Sequence, residues 1–458
     1  MTRKSLSTLT EASDLSQDQH VRDFQPINYA FTGSSVSVTV PQSAQGVVFA
    51  AIGGSGGDAT TRGLLPALGG KGALVGGYVL VKQGDTLTIN VGQQGQPNGA
   101  AGGQGGWGAT APGGSAGDNN GGGGGGASSI AVNGSTVAIA GGGGGAGAWG
   151  QGSGVDGPPE PGGNGGNAGA SAGHGGQGSN YDAKGGPAGG AGGGASQPAG
   201  ASGAPGSTTK LPDGVNGSGG GGGGGVAGGI GGTSGPASSK GSGGGGGGAG
   251  TSMTVSSPTG PGPQISTYTG AGNGMVQIEW LSGFSVQLTA PATTTTASTT
   301  PLDFTVNGVD PSGDPLGNVS EYVTLTSNYP TDVIHGTSVE MTSAGYHTIT
   351  AAWDDGSSDV TSSVNVKVNP ASATHVVIEG LPTSITAGTP LPLGASTADE
   401  FGNLISDVTS SATFSSNLSS DVWQGATVVM TQVGEHSISL TVPGYSTRVS
   451  TVNVTSAS

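Results

Sequence analysis

The side chains that could do chemistry are few and scattered. The six histidines do not have the spacing of a zinc motif; they are His20, His174, His335, His347, His375 and His436. His347 and His436 occupy the same position of an internal repeat, inside a predicted strand, which favours a structural role. Residues 53–57 (GGSGG) match the Gly-x-Ser-x-Gly pattern of a hydrolase nucleophile, but no helical pattern follows them.

Nucleotide and metal sites are equally weakly supported. Residues 69–72 (GGKG) lack the Ser or Thr that follows Lys in a phosphate-binding loop. Two groups of carboxylates could bind Ca²⁺ from loops, Asp310 with Asp314 and Asp354 with Asp355 and Asp359, although surface turns favour Asp in any case. We therefore expect no enzyme activity, no cofactor and no metal, and leave Ca²⁺ binding by these loops open.

Aromatic residues are scarce, so those within glycine-rich sequence are conspicuous. Trp107, Trp149 and Tyr181, with His174 nearby, are candidate receptor-binding residues, because exposed aromatic rings can stack on sugars or anchor a protein partner. The alternative is that each ring covers the edge of a packed core.

Charge is distributed unevenly. Residues 283–458 hold 15 acidic residues and two basic ones, Lys367 and Arg448. Nucleic-acid binding requires a basic surface, so no nucleic-acid partner is expected. The acidity should instead keep this region hydrated and exposed.

The N-terminal residues 1–26 are polar and are interpreted either as a frayed tail or as a peptide that docks on other proteins of a particle through Leu6, Leu9 and Leu15. They contain no apolar run typical of a secretory signal, and no stretch of 18 apolar residues predicts insertion into a membrane.

Residues 27–282 alternate between predicted strands and glycine tracts. Of 101 glycines, 85 lie between residues 53 and 274. Strands are predicted where apolar residues alternate or cluster, and Asn133-Gly134 predicts a tight hairpin. The predicted strands are 35–40, 46–52, 73–81, 86–91, 128–132, 135–140 and 275–281.

The glycine tracts allow two structural interpretations. Gly/Ser-rich sequence is typical of flexible linkers. The interruption of these tracts by strands favours the second reading, a bundle of extended polyglycine helices with three residues per turn that pack backbone to backbone.

Residues 46–281 resemble the glycine-rich domain of the anaplastic lymphoma kinase family of receptor ectodomains. The resemblance rests on 76–95 (GGYVLVKQGDTLTINVGQQG), 121–130, 135–147 and the closing 270–280. It implies a jelly-roll-like β scaffold that carries inserted polyglycine helices. The chain lacks the cysteines, the transmembrane segment and the kinase of that family. The glycine tracts also resemble, in composition, those of tail-tip adhesins of T-even-like phages.

The C-terminal region contains a repeat with an offset of 89 residues, in which 327–349 aligns with 416–438. Short strands in units of this length predict Ig-like sandwiches, and residues 397–403 (TADEFGN) resemble a turn of bacterial Ig-like repeats. The expected domains are 27–282, 283–369 and 370–458. The predicted fold class is all-β: a jelly-roll-like scaffold with an inserted polyglycine II helix bundle, then two tandem Ig-like β-sandwiches.

These features favour a non-enzymatic structural or adhesion protein on the surface of a bacteriophage particle, a fibre or decoration on head or tail. Its expected partners are other virion proteins and a host-surface glycan or protein, and a homo-oligomer is left open. The alternatives are a bacterial cell-surface or secreted adhesin and, third, a polysaccharide depolymerase, which would need two carboxylates about one sugar bond.

Overall fold

The computed structural model describes residues 25–59, 66–98, 111–117, 120–152, 162–169, 171–178, 214–215, 217–235, 244–254, 264–310, 313–356 and 360–456. Within these ranges the chain is all-β, with two single-turn 3₁₀ helices. No helix in these ranges is long and apolar enough to cross a membrane. The chain divides into two compact units, 1–285 with 308–317 and 353–358, and 286–307 with 318–352 and 359–458.

The first unit contains a sandwich of two antiparallel five-stranded sheets, ordered β1-β12-β3-β4-β11 and β10-β7-β6-β5-β2. The strands are β1 (Ile27–Ala30), β2 (Val36–Thr39), β3 (Gly46–Ile52), β4 (Ala73–Leu80), β5 (Thr86–Asn90), β6 (Ser128–Val132), β7 (Ser135–Ala140), β8 (Gln151–Gly152), β9 (Gly214–Val215), β10 (Met253–Thr254), β11 (Gln264–Thr267) and β12 (Met275–Leu281). Strands β8 and β9 form a separate pair.

The apolar core of this sandwich lies between its two sheets. Phe49 and Ile278 of one sheet pack with Leu87, Ile89 and Ile130 of the other, and all five are buried. Burying side chains of this size is the main source of folding free energy in such a core. The predicted strands 46–52, 128–132, 135–140 and 275–281 are confirmed with the same bounds, and the other three to within a residue or so at either end.

The predicted hairpin at Asn133-Gly134 is confirmed. Asn133 has φ 47° and Gly134 has φ 80°, the left-handed values that a two-residue turn between strands requires. Strand β11 and the short β10 were not predicted from the sequence; each is only two to four residues long.

Glycine tracts begin directly at the ends of these strands. Strands β3, β5 and β7 run on into residues 53–57, 92–95 and 141–148, while residues 69–72 and 121–127 lead into β4 and β6. Antiparallel pairing places these strand ends together: Ile52 lies opposite Leu74, Asn90 opposite Ser129, and Ser128 opposite Ala140. The tracts therefore leave the sandwich from one end.

The C-terminal repeats have the same strand order 89 residues apart. In the first repeat the strands are β13 (Ser285–Thr289), β14 (Thr294–Thr296), β15 (Ser298–Asp303), β16 (Thr305–Val309), β17 (Pro315–Asn318), β18 (Val323–Ser327), β19 (Val333–His335), β20 (Ser338–Met341), β21 (Gly345–Trp353) and β22 (Thr361–Asn369), with a 3₁₀ turn at Ser320–Tyr322. They form sheets β13-β16-β17, β14-β22-β21-β18 and β15-β20-β19.

The second repeat contains β23 (His375–Glu379), β24 (Ser384–Thr386), β25 (Pro390–Pro392), β26 (Gly394–Ala398), β27 (Leu404–Asp407), β28 (Thr413–Ser416), β29 (Val422–Gln424), β30 (Thr427–Val429), β31 (Gly434–Thr441) and β32 (Arg448–Thr455), with a 3₁₀ turn at Thr409–Ser411. Its four-stranded sheet packs on the other two through two buried clusters, one around Ile438 and Val428 and one around Leu440 and Val376. This layering is a β-sandwich.

Candidate functional site

The glycine tracts form a buried core held by backbone hydrogen bonds. Residues 141–148 lie at its centre, and all are buried. The amides of Gly142, Gly145 and Ala148 donate to the carbonyls of Gly224, Gly221 and Ser218 at 2.7 Å, 2.7 Å and 2.8 Å. Successive hydrogen bonds between the tracts 141–148 and 217–225 are thus three residues apart in each, and the two tracts run in opposite directions.

The same period of three governs the other neighbours of this central tract. Gly143 and Ala146 donate to Gly54 and Gly57, and Gly144 and Gly147 donate to Gly166 and Gly163. The carbonyls of 141–148 accept from three further tracts, 244–250, 122–125 and 70–73. One glycine tract is therefore hydrogen-bonded to six surrounding tracts, and each of its amides has an acceptor although it is buried.

This packing requires glycine at specific positions. A Cβ atom placed on Gly142, Gly143, Gly144, Gly145 or Gly147 would come within 3.0 Å of a carbonyl oxygen in a neighbouring tract. Alanine occurs where there is room: Ala146 packs in a small buried cluster with Ala59 and Ala67. The glycines thus fill the interior formed by these tracts, as large apolar side chains fill an ordinary hydrophobic core.

Each C-terminal repeat buries a His–Asp pair. His347 Nδ1 lies 2.8 Å from Asp332 Oδ2, and His436 Nδ1 lies 2.9 Å from Asp421 Oδ2; none of these side chains is exposed. The Nε2 atoms donate to the carbonyls of Ser343 at 2.8 Å and Gln432 at 2.7 Å. The sequence aligned these four residues across the repeat but did not pair them.

The geometry gives the histidines a positioning role in the fold. Both ring nitrogens face oxygens that accept hydrogen bonds, a carboxylate and a carbonyl, so each imidazole bridges an Asp side chain and a loop carbonyl. In the first repeat Tyr329 also stacks on His347 with ring centroids 3.8 Å apart. The pair ties the strand that carries the His to the loops at residues 342–344 and 431–433.

Asn403 joins the two repeats. Its side-chain Oδ1 accepts from the amide of Ala344 at 2.7 Å, and its Nδ2 donates to the carbonyl of Thr342 at 2.8 Å. A single carboxamide therefore pairs with the Thr342 carbonyl and the Ala344 amide of the first repeat. The carbonyl between them, that of Ser343, accepts from His347.

Asp399 holds Asn403 in place. Its carboxylate accepts from the backbone amides of Phe401 at 3.0 Å, Asn403 at 2.9 Å and Ala371 at 2.8 Å, and from Asn403 Nδ2 at 2.8 Å. Burial by itself raises the pKa of the Asp399 carboxyl, but the hydrogen bonds from Asn403, Ala371 and Phe401 outweigh burial and lower that pKa below its ordinary value. The ionised Asp399 carboxylate thus connects three parts of the chain: the linker at Ala371, the turn at 399–403 of the second repeat and, through Asn403, the loop at 342–344.

Most residues predicted from the sequence to be functional lie outside the described residues: Leu6, Leu9, Leu15, Trp107 and Tyr181. Trp149 is described and half-buried at the end of the central tract, and His174 is exposed. The described residues contain no group of three or more His, Cys, Asp or Glu suited to a metal.

No protein-family model and no curated protein matches the chain. Similar solved structures include invasin, a bacterial integrin-binding protein, at 17% identity over 43% of this chain and 45% of that one, with a TM-score of 0.21. Domains 1–6 of the surface-layer protein SbsC match at 20% identity over 43% and 34%, with a TM-score of 0.17.

A C-terminal 282-residue fragment of intimin, solved with the intimin-binding domain of its translocated receptor, matches at 17% identity over 38% of this chain and 64% of that one, with a TM-score of 0.16. The chain thus spans less than two thirds of the invasin, SbsC and intimin chains named above.

Proposed function

We propose that this chain is a non-enzymatic structural and adhesion protein displayed on a surface, that of a bacteriophage particle. The observation that carries the proposal is the hydrogen-bond network around residues 141–148, in which one tract contacts six others through its backbone. Because each residue of the tract is held by its own amide or carbonyl, the body resists bending and suits a spacer or a tip better than a flexible linker would.

The conformation that we assign to the tracts is the polyglycine II helix, extended and with three residues per turn. The period of three in the contacts of residues 141–148 supports it, as does the negative φ of the glycines in that stretch. This assignment includes the proposed likeness to the glycine-rich domain of the anaplastic lymphoma kinase family, with a jelly-roll-like scaffold beneath the helices.

The acidic repeats would then be the hydrated, displayed part of the chain. Asn403 and Asp399 fix the second repeat on the first, so the pair can hold a defined direction under load. Residues 1–26 would dock to other virion proteins, with Leu6, Leu9 and Leu15 as contacts. Trp107, Trp149, His174 and Tyr181 are the proposed contacts with a host-surface glycan or protein.

Immunogold labelling tests this proposal. Antibodies against residues 370–458 should label purified phage particles at discrete positions on head or tail. Label confined to the bacterial cell surface would favour the adhesin alternative, and absence from both would overturn a displayed role. Release of reducing sugars from host polysaccharide by the purified chain would contradict its assignment as a non-enzymatic protein.

A further inference from the structure

The loop at residues 431–433 is the counterpart, 89 residues later, of the loop at 342–344 that Asn403 binds. Each loop follows a buried methionine, Met341 or Met430, and ends at a glycine with positive φ. His347 and His436 donate to the middle carbonyl of their respective loops at 2.8 Å and 2.7 Å. The second repeat therefore holds its loop in the same way as the first.

The two loops differ in what covers them. All three residues of 342–344 are half-buried, whereas all three of 431–433 are exposed. Val433, the counterpart of Ala344, is 57% exposed. Among the described residues, neither the carbonyl of Thr431 nor the amide of Val433 has a hydrogen-bond partner.

We propose that residues 431–433 are a docking site for another β-sandwich module, one that presents an asparagine side chain from a turn like Asp399–Asn403. The loop offers one acceptor and one donor, the Thr431 carbonyl and the Val433 amide. A carboxamide supplies the complementary donor and acceptor on a single side chain, as Asn403 does for Thr342 and Ala344.

A second copy of this chain does not have the required side chain available. Its own Asn403 is engaged within the chain. The first repeat has Asp314 at the position that corresponds to Asn403. A carboxylate would accept from the Val433 amide but would place an acceptor against the Thr431 carbonyl. The occupant is therefore a module of different sequence, with Asn at that position.

The test extends the full chain after Ser458 with a second copy of residues 370–458, which reproduces the order of the two repeats. Hydrogen exchange is then followed at the Val433 amide. We expect exchange to slow by about tenfold, the effect of one added hydrogen bond, and to return to the original rate when the added copy carries the equivalent of Asn403→Asp. Two results would overturn the proposal. One is an unchanged exchange rate of the Val433 amide although the added copy is folded, and the other is equal protection of that amide when the added copy carries Asp in place of Asn.

A second variant keeps the proposal testable should the added copy not fold. Ser343→Gln with Ala344→Val places the sequence of the second loop where Asn403 already binds. The amide at position 344 should then stay protected to within about threefold, well under the tenfold effect of a lost hydrogen bond; loss of that protection would refute the fit. In the unextended chain, protection of Val433 that rises with protein concentration would show that a second copy is the occupant and overturn the assignment.

Discussion

Nδ1 of His436 lies 2.9 Å from Oδ2 of Asp421, with both side chains buried, and the same pair recurs as His347 and Asp332 in the preceding repeat. The second carboxylate oxygen of each Asp is buried without a hydrogen-bond partner in the structure. The histidine therefore compensates for a buried carboxylate in each sandwich, joined at Asp332 by the hydroxyl of Ser327.

We predict that His436→Ala destabilises the second repeat by about 3 kcal/mol, because it leaves the Asp421 carboxylate buried and unpaired. Hydrogen exchange of the β31 amides measures the change, and exchange of the β21 amides measures it for the control, which lies in the first repeat. His335→Ala is the matched control, since His335 pairs with Glu340 at 3.0 Å but is 54% exposed; it should cost less than about 1 kcal/mol. Equal effects of the two substitutions would contradict a stabilising role for the buried pair.

We predict that Asn403→Ala weakens the association of the two repeats by about 1–3 kcal/mol, because the half-buried Thr342 carbonyl and Ala344 amide lose their hydrogen-bond partner. Exchange at the Ala344 amide should accelerate while exchange in β31 stays unchanged. Acceleration throughout both repeats would mean that Asn403 supports the fold of each sandwich rather than their junction. Asn318→Ala serves as the control, because the Asn318 side chain accepts from the amide and hydroxyl of nearby Ser320 and, among the described residues, makes no hydrogen bond to the second repeat.

The junction should also depend on pH. Hydrogen bonds lower the pKa of Asp399 in the folded chain, so ionised Asp399 stabilises the fold above the pKa of the unfolded state, about 3.9. This stabilisation is lost as pH falls through the folded pKa. Protection of the Ala371 amide, corrected for intrinsic exchange, should therefore be constant from pH 7 to pH 5 and decrease below pH 4. In Asp399→Asn the protection should already be low at pH 7, and a wild-type profile in that variant would contradict the mechanism.

The glycine core should not tolerate a methyl group. A Cβ on Gly145 would lie within 3.0 Å of the Gly122 carbonyl carbon and oxygen, so we predict that Gly145→Ala costs about 3 kcal/mol or prevents folding of the first unit. Gly84→Ala is the control, because a Cβ there meets nothing within 4 Å and only the strain of φ 84° is added, about 1 kcal/mol. Thermal unfolding of the two variants compares them directly, and similar midpoints would argue against close packing of the tracts.

The strands could be predicted because their apolar residues alternate or cluster over short distances. Residues 46–52 and 275–281 show this pattern, and Asn133-Gly134 marks a turn by local chemistry alone. The glycine tracts, interrupted by strands, likewise favoured a packed structure over a flexible linker. The pattern could not indicate which tracts meet, because glycine has no side chain to distinguish one tract from another. Four of the six neighbours of 141–148 adjoin strands of the sandwich, namely 53–57, 70–73, 122–125 and 244–250, and the pairing of those strands is not written in the glycine tracts themselves.

The His–Asp pairs and the Asn403 contact were not predicted, for a different reason. Asp332 and His347 are conspicuous in the repeat alignment, but they lie on separate elements 15 residues apart and meet only in the folded sandwich. Asn403 contacts a loop 59–61 residues earlier in the chain. Sequence periodicity reports which face of a strand is buried and carries no information on contacts of this length.

Amide hydrogen exchange in residues 141–148 tests most directly the claim that the glycine tracts are the core of the first unit. Each amide from Gly142 to Ala148 donates to a backbone carbonyl of another tract. We predict that these amides exchange as slowly as those of β3 and β12, which form the sandwich core. Exchange at random-coil rates in 141–148, with β3 and β12 still protected, would contradict the account.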